Sequence, residues 1–244
     1  MILSDVGFIA ADTTRTRVYL RALVKNHIIP SSALIIKSPD QRLLPGEAGF
    51  RGDSVAHERT GERAAQEDTV PFFNDLENVF EEQGIEYQVL PSSDINSSEN
   101  ISVLKGCFES VFIYSGFGGV ILRNQILDSG KKFLHIHGGY LPDFKGSTTN
   151  YFSLLSERRV GASAIFLTKE IDGGPILLRR WFEPPDELRL MDHHHDSKIR
   201  AKVLVETLSN YLLNGKWPLV DPSSEKGQTY FVIHPVLKHA AILG

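Results

Sequence analysis

The chain has 244 residues, 41% of them hydrophobic, and a formal charge of −4, so it can bury one sizeable core, while its scattered basic residues give no stripe for a nucleic-acid backbone. No stretch approaches eighteen consecutive apolar residues, and the start MILSDVGFIAADTTR lacks the basic segment and small-residue cleavage site of an export signal, so neither membrane spanning nor secretion is expected. Cys107 is the sole cysteine, which excludes an intrachain disulfide and a cysteine-based zinc site and fits a cytoplasmic location.

In chain order, short runs rich in β-branched and aromatic residues predict strands at Val6–Ala10, Ala33–Ile36, Tyr87–Leu90, Val111–Tyr114, Phe133–Ile136, Ala164–Leu167 and Ile176–Phe182. Helical patterns lie between them. One covers Thr13–Asn26 with Asp12 as candidate N-cap, and another covers Phe72–Gln83 between Pro71 and Gly84, with Phe72, Phe73, Leu76, Val79 and Phe80 on one face. Residues 38–70 are polar and aperiodic and read as an insertion or lid. Strand–helix alternation predicts an α/β fold, a Rossmann-like doubly wound and mainly parallel sheet. After Trp181 the pattern changes: Pro184-Pro185, an amphipathic helix over Ser197–Leu213, and a late strand within Gly227–Ile233. Residues 1–183 are therefore expected to form the main domain, and residues 184–244 a C-terminal extension too short to be an independent domain.

Phe133-Leu-His-Ile-His137 is a strand carrying His135 and His137 two residues apart, hence on one face. Gly138-Gly139 follows, allowing a tight backbone path beside a ligand. Asp172 lies 35 residues after His137 in the glycine-rich loop Ile171-Asp-Gly-Gly-Pro175. Two imidazoles and a carboxylate can thus converge where parallel sheets bind ligands. By residue type alone the set suits proton transfer, a metal site or a structural role.

Three segments, Gly116-Phe-Gly-Gly-Val-Ile121, Phe133-Leu-His-Ile-His-Gly-Gly-Tyr-Leu-Pro-Asp-Phe-Lys-Gly146 and Gly161–Leu177 with Ile-Asp-Gly-Gly-Pro-Ile-Leu, resemble the formyltransferase family that uses 10-formyltetrahydrofolate. The resemblance covers residues 110–180 well and the first strand–helix unit loosely. It implies 10-formyltetrahydrofolate as co-substrate, with no metal expected, and a catalytic set of His135, His137 and Asp172. It also implies a folate site with Gly119, Ile121, Glu170 and Ile171, and acceptor contacts from Lys145, Ser147 and Thr148. In the family the first of the two strand-end positions is an asparagine that donates to the developing oxyanion; here it is His135. The tail is shorter than the domain that methionyl-tRNA formyltransferase appends for its tRNA, so the expected acceptor is a small-molecule amine, first an amino sugar on a nucleotide carrier.

Two other readings stay open at this stage: a hydrolase or other transferase in which His135, His137 and Asp172 bind a metal that activates water, and a catalytically silent folate-binding module. Asp192-His-His-His-Asp196 reads either as a metal-binding tract or, better, as a polar cap on the helix that follows it. Ser147 is equally economical as a helix N-cap. Trp181 and Trp217 could stack on a ligand or pack in the core, and Tyr230-Phe-Val-Ile-His-Pro235 either resembles the Tyr-containing tail segment of some sugar-nucleotide formyltransferases, whose acceptors are amino sugars, or is a core-packing strand. The apolar end His239-Ala-Ala-Ile-Leu-Gly is compatible with a homodimer.

Overall fold

The computed structural model describes residues 2–38, 75–220 and 227–243. At its centre is a seven-stranded sheet in the order β10-β9-β7-β6-β2-β4-β5. The strands are β2 (Val6–Ala11), β4 (Ser32–Ile36), β5 (Glu86–Val89), β6 (Val111–Ser115), β7 (Lys132–His137), β9 (Val160–Phe166) and β10 (Ile176–Phe182). The pairs from β7 through β6, β2 and β4 to β5 are parallel, while β9 is antiparallel to both β7 and β10. Every predicted strand is present; β2, β6 and β9 are buried along their whole length, whereas the edge strand β5 is mostly exposed. A short parallel pair, β1 (Ile2–Leu3) and β3 (Ile29–Pro30), lies outside the main sheet.

Alternation along the strands divides the core in two. Val6, Phe8 and Ala10 of β2 face one cluster with Leu134 and Ile136 of β7, Tyr19 and Leu23 of α1 (Thr14–Lys25), and Leu204 and Leu208 of α6 (Asp196–Asn214). Ile9, Ala11, Phe112 and Phe133 face the other, covered by α3 (Ser98–Gly106) and Ile126 of α4 (Asn124–Leu127). Helices on both faces of a mostly parallel sheet give the doubly wound α/β architecture expected. None of the described helices is long and apolar enough to cross a membrane.

Several local expectations are corrected. The N-cap of α1 is Thr13, whose hydroxyl accepts from the Thr16 N–H at 3.2 Å; Asp12 instead binds Arg17, whose Nε lies 2.8 Å from Oδ1. Of the helix expected over Phe72–Gln83, α2 spans Leu76–Glu82, with Leu76, Val79 and Phe80 buried. Phe72, Phe73 and residues 39–70 of the expected insertion lie outside the described residues. The late strand shrinks to β11 (Gln228–Tyr230), which pairs in parallel with β8 (Phe144–Gly146). Pro235 then opens α7 (Pro235–Leu243), consistent with the suitability of proline at the first helical position. The Asp192–Asp196 tract is not a cap: Met191–His195 winds as a π-helical turn continuous with α6, and no side chain caps that helix. Asp192 there pairs with Lys238 at 2.5 Å.

Candidate active site

Alternation along β7 puts Phe133, His135 and His137 on one face, opposite Leu134 and Ile136. Pairing of β7 with β6 stops at Leu134, whereas pairing with β9 continues to His137↔Ser163. Beyond Leu134 the sheet therefore opens on the β6 side, beside both histidines. There the His135 ring lies against the Tyr114 backbone. The β9–β10 loop begins next to Phe133, where the Leu167 N–H donates to its carbonyl at 2.9 Å. It folds back over the sheet far enough to bring Asp172 to His137.

His137 is buried, at 5% exposure. Its Nε2 lies 2.8 Å from the Phe144 carbonyl, an acceptor that fixes the hydrogen on Nε2. Nδ1 then faces Asp172, 3.4 Å from Oδ2. The same Oδ2 accepts the Gly146 N–H at 2.8 Å. Asp172 has φ 49°, a left-handed conformation uncommon outside glycine and characteristic of strained functional positions. His135, His137 and Asp172 each offer a ligand-type atom within 4.8 Å of the others, and among the described residues they form the set that could hold a metal.

Burial pushes the His137 imidazole below its ordinary value, against the opposing pull of Asp172 and the Phe144 carbonyl. Burial pushes His135 well below as well, reinforced by the Arg200 and Arg15 guanidiniums. Both rings are thus neutral at pH 7. A neutral His135 keeps a lone pair on one of its two ring nitrogens, which an asparagine amide nitrogen does not offer.

The glycines after β7 have a steric reason. A Cβ on Gly139 would lie 2.6 Å from His137 Nε2 and 2.6 Å from the Phe144 carbonyl; one on Gly138 would lie 2.3 Å from the Arg200 guanidinium. Residues that the sequence reading did not select hold this turn. Ser163 Oγ donates to the Gly139 carbonyl at 2.7 Å and accepts from the Leu141 N–H at 3.0 Å. Arg200 caps the Ile136 carbonyl at 3.1 Å and pairs with Asp196 at 2.7 Å, and Asn150 bridges Asp196 and the Gly161 N–H. The i,i+4 spacing of Asp196 and Arg200 was a visible signal; nothing in the sequence tied them to β7.

The residues assigned to folate lie on two loops resting on one core cluster, through Phe117 and Val120 on one and Leu167 on the other. Gly119 has φ 77°. Ile121 and Ile171 are 65% and 58% exposed, a pair of solvent-facing aliphatic side chains, and Glu170 is also exposed. Asn96 clamps the first loop, donating to the Ile121 carbonyl and accepting from the Arg123 N–H. Lys145, Ser147 and Thr148 adjoin the triad through Gly146, but mainly form a seam with the tail. Lys145 is in register with Thr229, the Ser147 N–H donates to Tyr230, and the Thr148 hydroxyl accepts from the Ile233 N–H at 2.8 Å. Ser147 is not the N-cap of α5 (Thr149–Glu157); Thr148 occupies that position, with φ 51° and no side-chain cap. Trp181 stacks on Tyr140, and Trp217 on Tyr211.

Residues 57–188 match the model of the formyl transferase family. Among curated relatives, methionyl-tRNA formyltransferase of Rhodopirellula baltica is 27% identical over 138 residues, 53% of this chain and 41% of the relative. The mitochondrial formyltetrahydrofolate deformylase 2 of Arabidopsis thaliana is 31% identical over 97 residues, 38% of this chain and 29% of the relative. The matched part is thus less than half the length of these relatives. A sugar N-formyltransferase from Shewanella sp. FDAARGOS_354 superposes with a TM-score of 0.56 at 13% identity, covering 98% of this chain and 86% of the other. Phosphoribosylglycinamide formyltransferase from Anaplasma phagocytophilum also gives 0.56, at 14% identity and 93% and 97% coverage. The alternating strand, the paired glycines and the aspartate loop thus sit on a shared architecture, and the chain belongs to the formyl transferase family.

Proposed function

We propose that this protein transfers the formyl group of 10-formyltetrahydrofolate to a primary amine of a small molecule, with His135, His137 and Asp172 at the reacting centre. The observation that carries this reading is the contact of His137 with Asp172 at the open edge of β7. The amine nitrogen forms a bond to the formyl carbon, the bond from that carbon to N10 of the folate breaks, and the amine's proton is passed to N10. Neutral His137 and Asp172 together take up that proton, and the carboxylate stabilises the imidazolium as it forms. Gly119, Ile121, Glu170 and Ile171 are the residues we assign to the folate.

An amino sugar on a nucleotide carrier is the acceptor we infer first. Tyr230, in the tail segment that resembles sugar-nucleotide formyltransferases, supports it: the ring stacks on Phe144, whose carbonyl orients His137, at a centroid distance of 5.5 Å, and tilts against Phe152 at 4.5 Å. The structurally similar Shewanella protein is described as a sugar N-formyltransferase. A second reading, with water as acceptor, is favoured by the 31% identity to a formyltetrahydrofolate deformylase.

One assay separates them: incubation with 10-formyltetrahydrofolate and a panel of nucleotide-linked amino sugars, following tetrahydrofolate release and product mass. A mass gain of one formyl group on an amine supports transfer, and free formate supports hydrolysis. Asp172→Asn should lower either rate about 10²–10⁴-fold. Folded wild-type protein that releases no tetrahydrofolate with any acceptor, water included, would sink the proposal.

A further inference from the structure

Formyl transfer needs positive charge or a donor where the carbonyl oxygen becomes negative. The triad instead gathers electron pairs: each neutral imidazole keeps a lone pair on one ring nitrogen, Nδ1 in His137, whose hydrogen goes to Phe144, and Asp172 adds a carboxylate oxygen. Three ligand-type atoms within 4.8 Å of one another describe the inner surface of a cation site. Two of them are also held by a second partner in the manner of a metal ligand, His137 by the Phe144 carbonyl and Asp172 by the Gly146 N–H.

The dimensions agree. Around a tetrahedral ion with bonds of about 2.0–2.1 Å, ligand atoms are about 3.3 Å apart. His137 Nδ1 and Asp172 Oδ2 are 3.4 Å apart. The His135 atom lies within 4.8 Å of both, so its ring must move by at most about 1.5 Å to complete the set. The neighbouring Arg200 guanidinium is paired with Asp196 at 2.7 Å.

We propose that His135, His137 and Asp172 bind one divalent transition-metal ion, zinc by ligand type, with a coordination position open toward the substrate. Two imidazoles and one carboxylate are the ligands of catalytic zinc centres, which keep such a position open. His135 then has a purpose that an asparagine amide serves in the family: the ion it helps hold polarises the formyl oxygen. With Nδ1 of His137 holding the ion, the second oxygen of Asp172 takes the place of the His137–Asp172 pair in accepting the amine's proton and passing it to N10. This departs from the metal-free centre expected from sequence. Its catalytic part rests on the formyl transfer proposed above, whereas the metal binding does not.

The test uses untagged, full-length protein, stripped with a chelator and titrated with Zn²⁺ against a chromophoric competitor, with Co²⁺ as a spectroscopic probe. We expect one equivalent bound and a cobalt d–d band that shifts on adding 5-formyltetrahydrofolate. Binding should weaken at least 100-fold in His135→Ala, His137→Ala and His135→Asn, and persist in His193→Ala/His194→Ala, which removes two imidazoles of the other histidine tract. Absence of a stoichiometric site in folded wild type, binding unchanged in His135→Ala, or undiminished formyl transfer by stripped protein would each overturn the inference, the last leaving the transfer reading intact. Stoichiometric metal lost in His135→Ala, with no turnover of formyl folate, would uphold the site and remove the transfer reading.

Discussion

Gly139→Ala asks whether the glycine pair sets the catalytic geometry. The added methyl would meet His137 Nε2 and the Phe144 carbonyl at 2.6 Å and Thr149 Oγ1 at 2.7 Å, about 1 Å inside ordinary contact. The Phe144 carbonyl is backbone in the β8–β11 ladder, and Thr149 is tied to the Gly138 carbonyl. The His137 ring is the part most able to yield, and moving it breaks its bond to Phe144. Overpacking of this kind costs about 1–3 kcal/mol, and the lost buried hydrogen bond adds about 1 kcal/mol. A ring displaced by about 1 Å should also slow turnover around 10²-fold. Gly106→Ala is the matched control, since nothing lies within 4 Å of its Cβ. Urea unfolding at constant m-value and initial rates should separate the two variants; unfolding free energies within about 0.5 kcal/mol of each other would refute the steric argument.

Because burial depresses both His135 and His137 below 6.5, each binds its proton more weakly folded than unfolded. Stability should therefore rise with pH through the window below about 6.5, by up to about 1.4 kcal/mol per unit for each histidine, and level off above it. Urea titrations of His135→Asn should show a shallower rise; an unchanged slope would refute the assignment to His135. Arg200→Ala should cost about 1.5–3 kcal/mol, through loss of its charged bond to the Ile136 carbonyl and abandonment of Asp196, as measured by urea unfolding. Thr13→Ala should cost about 1 kcal/mol as a lost cap, while Asp12→Ala, which removes a surface pair, should stay below about 0.5 kcal/mol; the reverse order would restore Asp12 as the cap.

The core strands were legible because each run is hydrophobic on both faces of a covered sheet, and period-two alternation put His135 and His137 together before any coordinates. The Asp172 loop was legible as a carboxylate among glycines between two strands, and its specific role only through family resemblance, since strand periodicity says nothing of a loop that doubles back over the sheet. Arg200, Asn150 and Ser163 escaped because they reach the turn after β7 from α6, α5 and β9, and contacts between distant elements leave no local pattern. The Asp192–Asp196 tract misled for the opposite reason: acidic residues before a helix favour a cap locally, but here the helical winding starts at Met191. Likewise Gly227–Ile233 has strand composition throughout, yet only the three residues facing β8 have a ladder to join.

The β8–β11 ladder bears on where the enzyme could be shortened. Family similarity ends at residue 188, an inviting place to cut. Yet Gly146, which donates its N–H to Asp172, is clasped by Tyr230 so closely that a Cβ there would lie 2.0 Å from the Tyr230 carbonyl. Leu204 and Leu208 of α6 are fully buried in the core beneath β2. A fragment ending at 188 would expose that core and release the strand that steadies the aspartate loop. The unit recognised by similarity and the unit able to fold are different lengths of chain, and the minimal enzyme must reach past Tyr230.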